Sequence, residues 1–539
     1  MFMAIMVMAT VEKTSKSSAV KALLIYSFFI TAPSVFAGEW SFVPSLGLTE
    51  TFTDNVELNN QDEQSSLVSQ FILGIDAEFK SKQVLFSISG TETLAAFSHD
   101  NELNDDFQTM QANGLFTLWQ QGPQLIINSR ISNVSKNDTD NSLSDLVSGD
   151  TVQQVTHNAG FQYNTTNSDY IINSSIIYNV VETEDNIGES QGYTADLSSK
   201  NGNAARILFW QIDGQFTYRE NNDLDGENYA IESKFGIITP YKFTPFIRYY
   251  NEKISGSIAG TNPNSIPAWG PGIRYLAAKH LFIDLSYNYV QDDTNASDDY
   301  IAASIGWQPS IRTSLNTSYS KRFFGNSYEL DFSHRTKRLT NNISYQETIE
   351  VFDRNSFQEN NLGSFWCPIA NGQTSVTIED CFVPTTPPPD TSNLQIVPLT
   401  SFTPIENNEF TLNKRLAWQS SLVLSRTTFT LDLSGRERTS LSTDVVDEYL
   451  TASFDITRRT SKRSDLGLSI SYSENTFDKN ELSSTQQNDV YKIISTTYNR
   501  ELASSLKAFI SLQYLDRDST REDRIYTEAR ASINITKEF

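Results

Sequence analysis

The chain is predicted to be all-β, a large antiparallel transmembrane β-barrel of roughly 24 strands, with 22 to 26 compatible. Short periplasmic turns and long acidic extracellular loops are expected to join them. Three observations carry the prediction. Apolar residues recur with period two through nearly the whole chain. Short and long connections follow one another in turn. The chain stops on a bare aromatic, Phe539, at the end of an amphipathic strand.

The amino end reads as a targeting segment. Lys13, Lys16 and Lys21 precede a short apolar core, "ALLIYSFFI", and "APSVFA" then places Val35 and Ala37 before a cleavage site ahead of Gly38. The apolar run falls short of the ~20 residues a spanning helix needs. Residues 1–37 are therefore expected to be a cleaved signal peptide, and 38–539 the barrel. The leader carries three Lys and one Glu, so the formal charge passes from −24 for the whole chain to −26 without it. That balance lacks the basic face of a non-specific nucleic-acid binder. Mean hydropathy is only −0.38, as suits strands that show one face to lipid and the other to water.

Several runs display the alternation. "LFIDLSYNYV" sets Leu281, Ile283, Leu285, Tyr287 and Tyr289 against Asp284, Ser286 and Asn288. "LFWQIDGQFTY", "LGLSISY" and "LKAFISLQYL" repeat it. Three of the four have ten or eleven residues, about the length a tilted strand needs to cross the hydrocarbon layer. A soluble sandwich also alternates, so the connections decide. Short turns are expected near 80–83, 120–123, 165–168, 199–202, 239–242, 277–280, 308–310, 336–338, 418–420, 460–462 and 501–503. Longer polar ones lie between, such as "SKNDTDNSLSDLVSGD", "ENNDLDGEN" and "QDDTNASDD". Sorting loops by length onto two rims is the layout of an outer-membrane barrel, with both chain ends on the periplasmic rim.

From about Asp353 to Ile405 the alternation stops. This stretch holds "VPTTPPPD", where proline removes ladder donors, and both cysteines, Cys367 and Cys381. An exported chain meets an oxidising compartment, so a disulfide is expected. Closing a loop of ~15 residues would contribute ~3 kcal/mol in the chain-entropy model. The segment is read as a long outer loop that folds over the mouth, dips into the lumen or stands in solution.

An open strand edge in lipid leaves backbone groups unsatisfied, so the last strand should pair with the first. Phe539, Ile535 and Ile533 on one face of the last strand resemble the signal by which insertion machinery recognises outer-membrane barrels. Lys537 departs from that pattern, and a lysine at a rim can snorkel.

Chemistry-bearing motifs are few. His99, His157, His280 and His334 are scattered. His99 adjoins Asp100, the one pair a barrel hydrolase could use. Acidic loops offer Asp138, Asp140 and Asp145, and Asp223, Asp225 and Glu227, without the glycine and distal glutamate of a calcium loop. No phosphate-binding glycine loop occurs. No catalytic residue, metal ligand or cofactor is assigned. Phe209, Phe282 and Phe509 fall on the polar face, where they could stack on sugar rings or pack the interior.

The first strand region, "EWSFVPSLGLTETFTDNVELNN", resembles the start of a family of outer-membrane β-barrel proteins encoded with the PEP-CTERM/exosortase sorting system, often beside exopolysaccharide genes. Trp40, Pro44, the alternating Leu46 and Leu48, and Thr53, Asp54, Asn55 and Val56 carry the likeness. Leu73-Gly74 stands where a Pro-Gly pair is usual. The resemblance implies a Gram-negative outer-membrane location and an association with exopolysaccharide or exported-protein handling, and the leading expectation for the chain is a non-enzymatic channel or surface scaffold. Its partners would be outer-membrane lipid, the insertion machinery, and exopolysaccharide or its export components. A general porin and an outer-membrane hydrolase are the alternatives.

Overall fold

A computed structural model describes residues 38–60, 63–120, 122–135, 145–184, 189–221, 224–259, 265–291, 298–351, 356–368, 394–405, 410–477 and 487–539. The expected leader, its cleavage site and Cys381 lie outside these residues, and with Cys381 the expected disulfide to Cys367.

Twenty-four antiparallel strands form a single ring. The first, Glu39–Thr53, pairs with the second, Ser66–Lys80, and with the last, Tyr526–Glu538. The closing register runs from Ser45 opposite Glu538 to Thr53 opposite Arg530. Closure leaves no edge to be satisfied in hydrocarbon, and the Phe539 amide donates to the Pro44 carbonyl at 2.9 Å beside the seam.

The period-two pattern sets the two faces. On the first strand Trp40, Phe42, Leu48 and Phe52 point outward and are exposed, while Thr51 and Thr53 point inward and are buried. On the last strand Ile533 and Ile535 are each 45% exposed on the outer face. Exposed Leu, Ile, Phe, Trp and Tyr side chains recur around the ring. A surface this apolar on a closed ring is a membrane-facing surface. The protein is a transmembrane β-barrel of the outer-membrane type. Among the described residues no helix is long and apolar enough to span a bilayer.

The expected connections need three corrections. Trp418, Gln419 and Ser420 do not turn: the strand Phe410–Val423 runs through them, and the turn lies at 424–426. Trp418 simply continues the outward row begun by Leu416. "ENNDLDGEN" is no long loop, because Leu208–Asn221 and Leu224–Ile237 pair up to Asn221 opposite Leu224. Polar residues on both faces mark strand ends standing clear of the bilayer, where neither face needs to be apolar. Finally, Thr313–Arg322 and Gly325–Arg335 join on the outer rim through Phe323 and Phe324 alone, with Gly325 at φ +122°. Only glycine adopts that angle freely.

Strand length varies around the ring. Leu281–Val290 and Thr313–Arg322 have 10 residues, whereas Val446–Ser461 has 16 and Gln487–Ala503 has 17. The wall is therefore low on one side and tall on the other.

The interval expected to be irregular holds a hairpin. Ser356–Pro368 pairs with Leu394–Ile405 in a separate two-stranded sheet, with Cys367 opposite Gln395. The hairpin lies against Gln124–Ser135 and Val446–Ser461, wall strands far apart around the ring. It thus crosses the barrel rather than standing away from it.

Candidate functional site

The site is the lumen and its outer mouth, built by three arrangements. The first is a latch at the seam. Thr53 Oγ1 donates to Glu528 Oε1 at 2.6 Å, joining the first strand to the last. The Ser148 hydroxyl donates to the same oxygen at 2.7 Å, and Arg530 Nη2 donates at 2.9 Å. Arg530 Nη1 reaches Asp145 Oδ2 at 2.6 Å. Asp145 Oδ1 in turn accepts the amides of Val147 and Ser148. The connection preceding Thr151–Thr166 is thereby drawn inward to the seam.

The residues after Thr53 continue the latch. Asp54 Oδ1 accepts the Ala529 amide at 2.7 Å. Asn55 Nδ2 donates to the carbonyls of Asn59 and Thr527, and its Oδ1 accepts the Asn59 amide. The Val56 carbonyl accepts the Gly149 amide at 3.0 Å. Val56 then packs with Val68, Ala95, Phe97 and Val147. The four-residue run singled out in the sequence is thus a structural knot. Trp40 and Pro44 lie at the other end of the same strand, where Trp40 packs on Phe79 with ring centroids 4.9 Å apart.

The second arrangement is an arginine ladder on the low side of the wall. Arg274 lies between the rings of Phe209 and Phe282, 4.3 Å from each centroid. It grips Asp284 with two hydrogen bonds, of 2.6 and 2.7 Å, and Lys234 adds a third at 3.2 Å. One tier outward, Arg248 donates to Glu232, Asn288, Tyr300 and Ser320. One tier further, Arg322 pairs with Glu252. Asp284 and Glu252 have side chains 4% and 0% exposed, and a carboxylate so buried persists only when paired. The aromatics fit because their neighbours are glycines: a Cβ on Gly306 would collide with Phe282, and one on Gly272 with Phe246. Phe209 and Phe282 therefore pack the interior, as one of the two expectations had it. Phe509 is half-buried.

The third arrangement spans the mouth. The outer ends of Leu339–Val351 and Phe410–Val423 lean over the low wall. Asn228 Nδ2, on Leu224–Ile237, donates to the Ile349 carbonyl at 3.2 Å. Arg322 Nη1 donates to the Glu347 carbonyl at 2.6 Å. Ile254, Ile349, Phe410 and Leu412 close into an apolar cluster against which Phe323 and Phe324 pack. Strands separated by six others around the ring therefore touch across the opening.

The remaining candidates take structural places. His157 and His334 each bring Nδ1 to a hydroxyl directly across the strand pair, Ser129 at 3.0 Å and Thr313 at 2.8 Å. His99, just beyond the end of Val84–Phe97, brings Nδ1 to the Ser66 hydroxyl at 2.9 Å. Ser66 is only 2% exposed, and Asp100 accepts the Glu102 amide. Asp138, Asp140 and Asp223 lie outside the described residues. Asp145 belongs to the latch, and Asp225 accepts the Ser257 amide at 3.1 Å. Among the described residues no three His, Cys, Asp or Glu converge on a metal position. The latch partners Glu528, Ser148 and Arg530, and the ladder, carry no local sequence signal beyond inward parity.

Fold and site together define a membrane barrel with a filled flank and a bridged mouth. No protein-family model matches the chain, and no curated protein matches its sequence. Among solved structures, the siderophore receptor PirA from Pseudomonas aeruginosa aligns with 92% of this chain and 80% of its own, at 8% identity and TM-score 0.38. The FrpB iron transporter from Neisseria meningitidis aligns with 92% and 82%, at 9% identity and TM-score 0.43. An OmpT loop-deletion mutant from Vibrio cholerae aligns with 93% and 100%, at 8% identity and TM-score 0.31.

Proposed function

We propose that the protein is a non-enzymatic component of the Gram-negative outer membrane that serves an exopolysaccharide or PEP-CTERM/exosortase system, as a channel or a surface scaffold. The observation that carries this reading is the run Thr53-Asp54-Asn55-Val56. The resemblance to that family rests on it together with Trp40, Pro44, Leu46 and Leu48, and the same run ties the first strand to the last. As a channel the barrel works passively. Inward polar rows hydrate a path, and acidic outer loops disfavour anions.

A porin-type diffusion channel is the second reading, favoured by the continuous polar inner rows. Single-channel conductance in planar bilayers tests both. Discrete openings that enlarge when residues 353–405 are deleted support a gated path. A barrel that stays sealed after the deletion leaves only the scaffold. Equal conductance with and without that segment favours the porin.

A further inference from the structure

Positive charge on the periplasmic rim is densest along one arc. Five neighbouring turns, at 311–312, 336–338, 424–426, 462–463 and 504–505, join consecutive strand pairs from Tyr300–Ser310 round to Leu506–Ser519. At these turns and their flanks stand Arg312, Arg338, Arg426, Arg458, Arg463 and Arg500, all exposed. Backbone hydrogen bonds fix them side by side. The Arg335 amide donates to the Arg312 carbonyl, Val423 to Arg338, Arg459 to Arg426, and Glu501 to Arg463, at 2.7 to 2.9 Å. Carboxylates near these cations are few: Glu501, Asp465 at 3.8 Å from Arg459, and Glu538 at 2.6 Å from Lys507, while the other three turns have none. This occurs in a chain of net charge −24. Elsewhere on the rim the turns at 118–123 and 167–169 contain no Lys or Arg, and those at 81–83, 202–207, 238–242 and 279–280 carry one each, Lys82, Arg206, Lys242 and Lys279.

Adjacent turns on one rim are two strands, or about 10 Å, apart. That is about one Debye length at physiological salt, so the cations repel one another unless counter-charge lies between them. Parity tells from which side it comes. Arg458 lies on the outward row of Leu450 and Phe454, and Arg500 on that of Ile494, all of them exposed to lipid. Leu424, on its turn, and Leu502, at the end of its strand, are exposed as well. Cations above an apolar band at the membrane edge meet headgroup phosphates first.

We infer that this arc is a binding surface for anionic phospholipid headgroups of the periplasmic leaflet, and that it fixes which side of the barrel faces a patch of acidic lipid. The inference rests on the barrel and its orientation, not on any link to a polymer.

The test uses full-length protein folded in neutral detergent, with phosphatidylglycerol and phosphatidylcholine offered in equal amounts and retained lipid counted by native mass spectrometry. Wild type is expected to retain phosphatidylglycerol in preference. The triple variant R458Q/R463Q/R500Q should lose that preference by tenfold or more, given about fivefold per arginine at a charged headgroup layer. R458K/R463K/R500K should keep most of it. Heat-modifiable gel migration verifies that every variant is folded. Equal retention by wild type and the glutamine variant overturns the proposal. So does binding of soluble polygalacturonate to barrels in phosphatidylcholine nanodiscs that the glutamine variant abolishes, with no lipid preference in wild type. That result would make the arc a docking site for an acidic polymer.

Discussion

Thr53 and Glu528, 475 residues apart in the chain, meet in a 2.6 Å hydrogen bond across the barrel seam. Glu528 also holds Ser148 and Arg530. One carboxylate therefore fastens the first strand, the last strand and an inturned connection. Glu528→Ala would leave Arg530, whose side chain is 13% exposed, with half of its counter-charge. Breaking a buried ion pair from one side costs about 3–5 kcal/mol. Thr53→Val removes one neutral donor and should cost nearer 1 kcal/mol. Urea unfolding in detergent micelles should rank the two in that order; equal losses would deny Glu528 its central place.

Asn55 should be intolerant of change in its own way. Its side chain bonds three backbone groups while 1% exposed. Asn55→Ala orphans them, at roughly 1–3 kcal/mol for each buried group that water cannot reach. Asn55→Asp keeps the acceptor and loses both donors. Proteolysis should then cut first between residues 55 and 66, and an unchanged cleavage pattern would show the knot to be dispensable.

The span across the mouth depends on Arg322. Arg322→Ala breaks the pair with Glu252 and the bond to the Glu347 carbonyl. The expected result is a larger or more frequently open conductance, together with a lower unfolding midpoint. Arg322→Lys should restore the charge but not the second contact, giving an intermediate conductance. A conductance identical in all three proteins would place the ion path elsewhere in the lumen.

Packing on the low wall makes a separate prediction. Gly306→Val would drive a branched side chain into the Phe282 ring, which covers Arg274. Overpacking of this kind costs about 1–3 kcal/mol. Gly435 has nothing within 4 Å of the position of a Cβ, so Gly435→Val serves as the matched control. The temperature at which each folded band is lost on unboiled gels should fall only for Gly306→Val.

Phe539 is 67% exposed and contributes little packing. Phe539→Ser should leave the midpoint of a folded sample within ~0.5 kcal/mol, as for surface changes generally. The yield of folded barrel from cells should fall nonetheless, if the terminal aromatic is read by insertion machinery. Equal yields would remove it from that role.

Much of the wall was legible because period two is a local property. Leu281 to Tyr289 show it within ten residues, and one register fixes every neighbour's inward and outward faces. The errors arose where locality fails. Trp418 stood beside polar residues that suggested a turn, while its outward row continued to Leu416. The polar stretch from Glu220 to Asn228 looked like a loop because strands that outrun the bilayer need no apolar face. The knot at Thr53–Val56 was visible as a motif, yet its partners Asp145, Ser148 and Glu528 come from distant parts of the chain. Nor does any stretch announce that Asn228 meets Ile349. That contact follows from unequal wall heights, which no single strand encodes.

The pairing of the first strand with the last also orders events in time. In any amino-to-carboxy delivery Glu39–Thr53 appears long before Tyr526–Glu538, so the amino-terminal hairpin must wait for that strand before its free side finds a mate. During that interval the unpaired backbone is exposed to every similar chain in the periplasm. Loss of Tyr526–Glu538 would therefore do more than remove one stave: it would leave the first strand a permanent template for aggregation.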